Sequence, residues 1–275
     1  MSTTAFTGQS RIRSAFQTAK EQGRCALLPF ITGGYPSLEA TEQLLRDLPQ
    51  AGADLIEIGF PFSDPIADGP IIAESMHQAL LSGTTPDALF ALVQKVRPTV
   101  PMLAMVSFSI VGRMGIDRFL QRAVEAGFCG FIVPDADPTA AEEIARKAAT
   151  LGAGFCPLVS PTTTHERLSR LAGLATGFVY LLARAGVTGE RNDAPEIADR
   201  ARMVRAATDA PIAAGFGIST AAHIKAVGEH ADGAIVGSAI VRVMTEAHQR
   251  TQSASDATNA ALDFVCHLSR KPTAT

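Results

Sequence analysis

The stretch Asp54 to Pro70, DLIEIGFPFSDPIADGP, sets one glutamate in an apolar run and two aspartates just beyond it. Leu55, Ile56 and Ile58 are apolar on successive residues, as in a parallel strand buried on both faces. Glu57 interrupts that run. A carboxylate there loses its water and must be paired, neutralised or used. Gly59, Pro61, Pro65 and Pro70 end the strand and stiffen a loop that carries Asp64 and Asp68. One acid at a strand end and two on the next loop fit general acid–base chemistry. They equally fit a core salt bridge at Glu57 with Asp64 and Asp68 as turn caps.

A second chemistry sits near the other end of the chain. RAGVTGE holds Gly186 and Gly189 around Thr188, AGFGIST holds Gly215 and Gly217 before Ser219, and VGSAIV holds Gly237 and Ser238. Glycines let a backbone approach a ligand closely, and amides at helix starts favour an anion. Ser219 is the predicted N-cap of the helix after the second loop. Each loop alone is explained by the steric need to end a strand, whereas three in succession predict a phosphate binder. Between these regions lies Tyr180, whose hydroxyl needs a partner if the residue is buried.

Positioning such groups requires a repeating frame, and the chain has one. Apolar runs fall at 26–31, 54–59, 101–108, 129–135, 154–159, 177–183, 210–216 and 233–238. Segments of helical periodicity fill 38–50, 72–96, 116–126, 138–151, 164–174, 195–207, 219–228 and 239–270, and a first helix spans Ser10 to Glu21. Ser37 reads as an N-cap, and Gly52, Gly127 and Gly152 each stop a helix just before a strand. Alternation of this kind predicts an α/β fold, a (β/α)8 TIM barrel occupying residues 1–275 as one domain with a short N-terminal helix. An open doubly wound sheet is the structural alternative. In a barrel the chemistry gathers at the C-terminal strand ends. That rule selects Phe30 and Thr32, then Glu57, Asp64 and Asp68, then Ser107, Ser109, Asp135 and Tyr180, and finally the three glycine loops.

With 275 residues, 47% of them hydrophobic, the chain suits one large barrel. A net charge of −3 implies no general attraction to nucleic acid or anionic membrane. No apolar run approaches the roughly 18 residues that span a bilayer, and MSTTAFTGQSRIRSAF lacks the apolar core of a secretory signal. Cys25, Cys129, Cys156 and Cys266 lie far apart without a CxxC pair, which fits free thiols in a reducing cytoplasm. The histidines show no metal-ligand spacing, and His223 and His230 read as surface residues.

The run EIGFPFSDPIADGP resembles the signature of the tryptophan synthase alpha subunit, and the likeness extends from about Phe30 to Ile240. The resemblance implies a retro-aldol cleavage of indole-3-glycerol phosphate to indole and glyceraldehyde 3-phosphate, with neither metal nor organic cofactor. It implies Glu57 and Asp68 as the catalytic pair. It places the phosphate on Gly189, Gly217, Gly237 and Ser238, and the indole among Phe30, Ile72, Ile132, Phe216 and Ile235. It sets Tyr180 beside the catalytic glutamate and makes Thr188 the lid residue that bonds the catalytic aspartate. It also implies a beta-subunit partner in an alpha2-beta2 tetramer.

Two places depart from the family pattern. Ser107 and Ser109 stand where a tyrosine and an asparagine are usual, and Asp135, Ala136, Asp137, Pro138 replaces the usual Asp, apolar residue, Pro. Both segments border the partner surface in the family, while the catalytic and phosphate motifs are intact. A free-standing lyase without a beta partner, and a non-catalytic activating subunit, are the alternative functions.

Overall fold

A computed structural model of the chain describes residues 7–64, 69–182, 197–215 and 217–269. Helix α1 (Gly8–Glu21) precedes strand β1 (Ala26–Thr32), α2 (Leu38–Ala51) and β2 (Ile56–Gly59). There follow α3 (Pro70–Leu81), α4 (Pro86–Val96), β3 (Met102–Met105), α5 (Phe108–Met114), α6 (Ile116–Ala126), β4 (Gly130–Ile132) and α7 (Pro138–Thr150). The fifth apolar run yields two short strands, β5 (Gly154–Phe155) and β6 (Leu158–Val159). The remainder is α8 (His165–Leu174), β7 (Val179–Leu182), α9 (Ala198–Ala207), β8 (Ile212–Gly215), α10 (Ala221–Gly228), β9 (Gly233–Val236), α11 (Ser238–Thr251) and α12 (Ala254–Ser269).

All strand pairs are parallel, in the order β5-β4-β3-β2-β1-β9-β8-β7-β6. Its two ends are halves of one stave. Cys156 N–H donates to Phe131 O of β4 at 2.9 Å, and the next residue, Pro157, accepts from Tyr180 N–H of β7 at 2.9 Å. The stave thus bonds β4 with its first half and β7 with its second, which closes an eight-stave barrel. The break falls at Pro157 because proline has no N–H to give a ladder.

Side chains alternate in and out along each strand. Ala26, Leu28, Leu55, Leu103, Ile132, Cys156, Phe178, Tyr180, Ala213 and Ile235 form the inner core, and Ile12 and Phe16 of α1 join it. The outer faces pack under the helices in a second, larger cluster. Helix α1 stoppers the N-terminal end of the barrel. Gly130, Gly154 and Gly177 make the seat: a Cβ on them would lie 3.0, 2.8 and 3.5 Å from Ile12 Cδ1. That end is also tied by charge. Asp54 takes a bidentate pair from Arg24 at 2.5 and 2.7 Å and accepts Leu27 N–H at 2.8 Å.

Several predicted elements need correction. The segment 72–96 is two helices, because Gly83 turns with φ +80° and Thr85 caps a new helix with Pro86 in its first turn. The last segment also divides, at Gln252 with φ +55°. Helix α5 has no counterpart among the predicted segments. No helix among the described residues is long and apolar enough to cross a membrane.

Candidate functional site

Glu57 lies mid-way along β2, in register with Phe30 of β1 and Leu103 of β3. It shares the inward face with Leu55 and is wholly buried. Neither carboxyl oxygen has a hydrogen-bond partner. The core salt bridge is therefore absent. Burial alone holds the Glu57 pKa well above the usual carboxylate range, since nothing nearby rewards the charged form. A carboxyl of this kind holds its proton at a pH where an exposed one has lost it, and can deliver that proton and recover it.

The surroundings are apolar and tightly fitted. The Phe30 ring lies between two strand ends: a Cβ on Gly59 would sit 2.5 Å from Phe30 Cζ, and one on Gly237 would sit 3.3 Å from Phe30 Cδ1. Ile72, in the first turn of α3, is 2% exposed and belongs to the same cluster as Phe30. Tyr180 and Ile235 face inward from β7 and β9, with Ile132 and Cys156. The Tyr180 hydroxyl lies against Gly215, 2.5 Å from where a Cβ there would stand. The Cys156 thiol has its pKa raised, chiefly by burial, and by the Glu57 carboxylate in addition.

A hydroxyl chain fixes α3. Ser75 Oγ donates to Ile72 O at 2.7 Å, so its one proton is used and Thr32 Oγ1 must donate to it, also at 2.7 Å. Both residues are buried. The C-terminal end of β1 is thereby bonded to the helix that carries Ile72 and follows the loop of Asp68.

At the glycine-rich end, Gly217 takes φ +74°, a conformation that side chains disfavour. The cap of α10 is Thr220, not Ser219: its Oγ1 accepts His223 N–H at 3.1 Å, and its backbone is extended as a cap requires. Gly237 caps α11 without a side-chain bond, and Ser238 is the first helical residue. Geometry leaves the first amides of α11 without intrahelical acceptors, which gives that end a preference for anions. The sites predicted at Asp68, Thr188, Gly189 and Phe216 lie outside the described residues. Asp64 is exposed, away from the inner core. No group of three or more His, Cys, Asp or Glu is placed to hold a metal ion among the described residues.

The pattern of the family described as tryptophan synthase alpha chain matches residues 16–267. The chain is similar to the tryptophan synthase alpha chain of Rhodopirellula baltica, 40% identical over 274 residues, covering 94% of this chain and 97% of that one. That of Halorhodospira halophila is 42% identical over 241 residues, covering 86% and 88%. The chain belongs to the tryptophan synthase alpha chain family. Solved structures agree. The alpha subunit from Legionella pneumophila superposes with a TM-score of 0.83 at 32% identity, covering 94% of this chain and 98% of that chain. A Mycobacterium tuberculosis tryptophan synthase structure gives a TM-score of 0.84 at 29% identity, covering 95% and 99%. These neighbours are TIM barrels, as the alternation of elements predicts. Membership makes the chain a carbon–carbon lyase of tryptophan biosynthesis that cleaves indole-3-glycerol phosphate.

The departures from the alpha-chain pattern have local explanations. Ser107 caps α5, its Oγ accepting Ser109 N–H at 3.2 Å and donating to Asp135 Oδ2 at 2.7 Å. The other Asp135 oxygen accepts Phe108 N–H at 2.7 Å. Asp137 caps α7, accepting Ala140 N–H at 2.9 Å, with Pro138 in the first turn. The two segments are thus built as helix caps rather than as truncated side chains. His223 also differs from its predicted place: it is buried, whereas His230 is exposed. The signal for it was the spacing of four to Val227, which puts both on the buried face of α10.

Proposed function

We propose that Glu57 is the acid and base of the lyase reaction. The protonated carboxyl delivers its proton to indole C3, turning the ring into an indolenine with positive charge on nitrogen. The carboxylate so formed takes the proton of the C3′ hydroxyl as the bond between C3 and C3′ breaks. Those bonding electrons return to the ring, which leaves as indole, and the former C3′ becomes the aldehyde carbon of glyceraldehyde 3-phosphate. Glu57 ends the cycle protonated, as it began. The observation that carries this reading is a wholly buried carboxyl, without a partner, at the chemistry end of the barrel.

Asp68 accepts the indole N–H and stabilises the charge that forms on the ring nitrogen. Phe30, Ile72, Phe216 and Ile235 line the ring pocket, and Tyr180 orders the wall beside Glu57. Gly189, Gly217, Gly237 and Ser238 hold the phosphate with backbone amides, and Thr188 bonds Asp68 when the loop closes. The uncapped first turn of α11 supports the phosphate assignment. The partner is the beta subunit of tryptophan synthase in an alpha2-beta2 tetramer, and the compartment is the cytoplasm. The test is indole release by the purified chain, with and without a beta subunit, for wild type, Glu57→Gln and Asp68→Asn. Loss of about 10²–10⁴-fold in each variant, with the phosphate-bearing substrate still bound, is expected. Activity within a few-fold of wild type removes that residue from its role.

A further inference from the structure

His223 has a place in the fold that the lyase chemistry does not use. It is 6% exposed, on the first turn of α10, directly after the loop assigned to the phosphate. Its Nδ1 accepts the backbone N–H of Ser219 at 3.4 Å, while its own backbone N–H goes to Thr220 Oγ1 at 3.1 Å. The same residue therefore closes the turn twice, once from its ring and once from its backbone. An Nδ1 that accepts carries no proton, so the imidazole is neutral with its proton on Nε2. Thr220 O in turn accepts Ile224 N–H at 3.1 Å, which anchors the turn to the next residue of the helix.

The turn so held contains Gly217, whose left-handed backbone needs outside support to stay in one conformation. An anion is bound well by amides only if they are already aimed, because ordering them on binding costs affinity.

We propose that His223 is a positioning residue of the phosphate site: its neutral ring fixes the turn from Gly217 to Thr220 so that the amides there meet the phosphate pre-aimed. This rests on the assignment of the phosphate to that end of the barrel. His223 touches no reacting atom, so the turnover step is unaffected.

The substitutions separate the ring's acceptor from its bulk. The side-chain oxygen of asparagine stands where Nδ1 stands, whereas that of glutamine stands near Nε2. On the full chain, His223→Ala raises KM for indole-3-glycerol phosphate about tenfold with kcat within about threefold, the loss of one aimed hydrogen bond. Binding of an indole-alkyl phosphate weakens by the same factor, and binding of its dephosphorylated alcohol does not change. His223→Asn recovers most of the affinity, and His223→Gln does not. If His223→Ala yields no folded protein, the comparison of Asn with Gln carries the test alone. Equal weakening of the phosphate and the alcohol, or an asparagine variant no better than glutamine, overturns the proposal. Gly237→Asp serves as the reference. If it also spares the phosphorylated ligand, the phosphate assignment itself is wrong. If it abolishes the preference for that ligand while His223→Ala leaves it intact, only the role of His223 falls.

Discussion

Replacing Glu57 by glutamine tests the buried carboxyl apart from catalysis, through stability against pH. In the unfolded chain a glutamate titrates near about 4.3. In the fold, burial holds Glu57 well above that range. Between the two values the native state carries one proton more than the unfolded state, so wild-type stability falls by about 1.4 kcal/mol for each pH unit. The contribution is fully present below the unfolded value, is lost as pH rises toward the folded value, and is constant beyond it. Glutamine is neutral throughout and has nearly the same shape. At pH 4 the two proteins should therefore be about equally stable. Above that, Glu57→Gln should become the more stable by about 1.4 kcal/mol per pH unit until the difference levels off. The pH of levelling reads the folded pKa, since every other titrating group cancels between the two proteins. Urea unfolding followed by far-ultraviolet circular dichroism at half-unit steps from pH 4 to 8 suits a chain with no tryptophan. Parallel curves for the two proteins would mean that Glu57 ionises as easily in the fold as out of it, and the account of its proton would fall.

Gly237→Asp should weaken a phosphorylated ligand about tenfold or more and its alcohol far less, by charge repulsion and by pressing on Phe30; equal weakening in calorimetric titrations would place the phosphate elsewhere. A beta subunit from another source should bind weakly and stimulate indole release little, because α5 and α7 begin with caps of this chain's own design. Ser107→Tyr with Ser109→Asn should recover some coupling at a cost of about 1 kcal/mol for the lost cap, and strong stimulation of the wild type at stoichiometric partner would refute the premise. Ile12→Ala should destabilise the fold by about 2–5 kcal/mol and leave kcat/KM unchanged below the unfolding range; a cost under about 1 kcal/mol would mean that α1 does not seal the barrel.

Much of the site was legible because it depends on local pattern. Glu57 stands out as a carboxylate inside an apolar run, and the glycines of the phosphate loops end strands in a regular order. What sequence could not give is contact between distant residues. Gly130, Gly154 and Gly177 look like three unrelated strand breaks until Ile12 is seated among them. Thr32 and Ser75 are ordinary hydroxyls until a strand end meets a helix 43 residues on. The cap at Thr220 rather than Ser219 is a choice between adjacent hydroxyls, decided by backbone angles that the sequence does not state. The division at Gly83 to Pro86 was readable from its turn residues, but the apolar period on both sides masks it. Helix α5 has only seven residues and a central glycine, too short a window for periodicity to register.

The split stave has a mechanical consequence. Most staves of this barrel are zipped along both edges, but β5 bonds only β4 and β6 bonds only β7. A cylinder opens where the fewest bonds must part together, so this seam is its weakest line. Local opening there breaks the bonds from Cys156 to Phe131 or from Tyr180 to Pro157 without disturbing β1 or β2. In native-state hydrogen exchange the amides of Cys156 and Tyr180 should therefore exchange ahead of those of Ile58 and Ile31. The stave that carries Glu57 lies across the barrel from the seam, so the ring can breathe on one side while the proton donor is held still on the other.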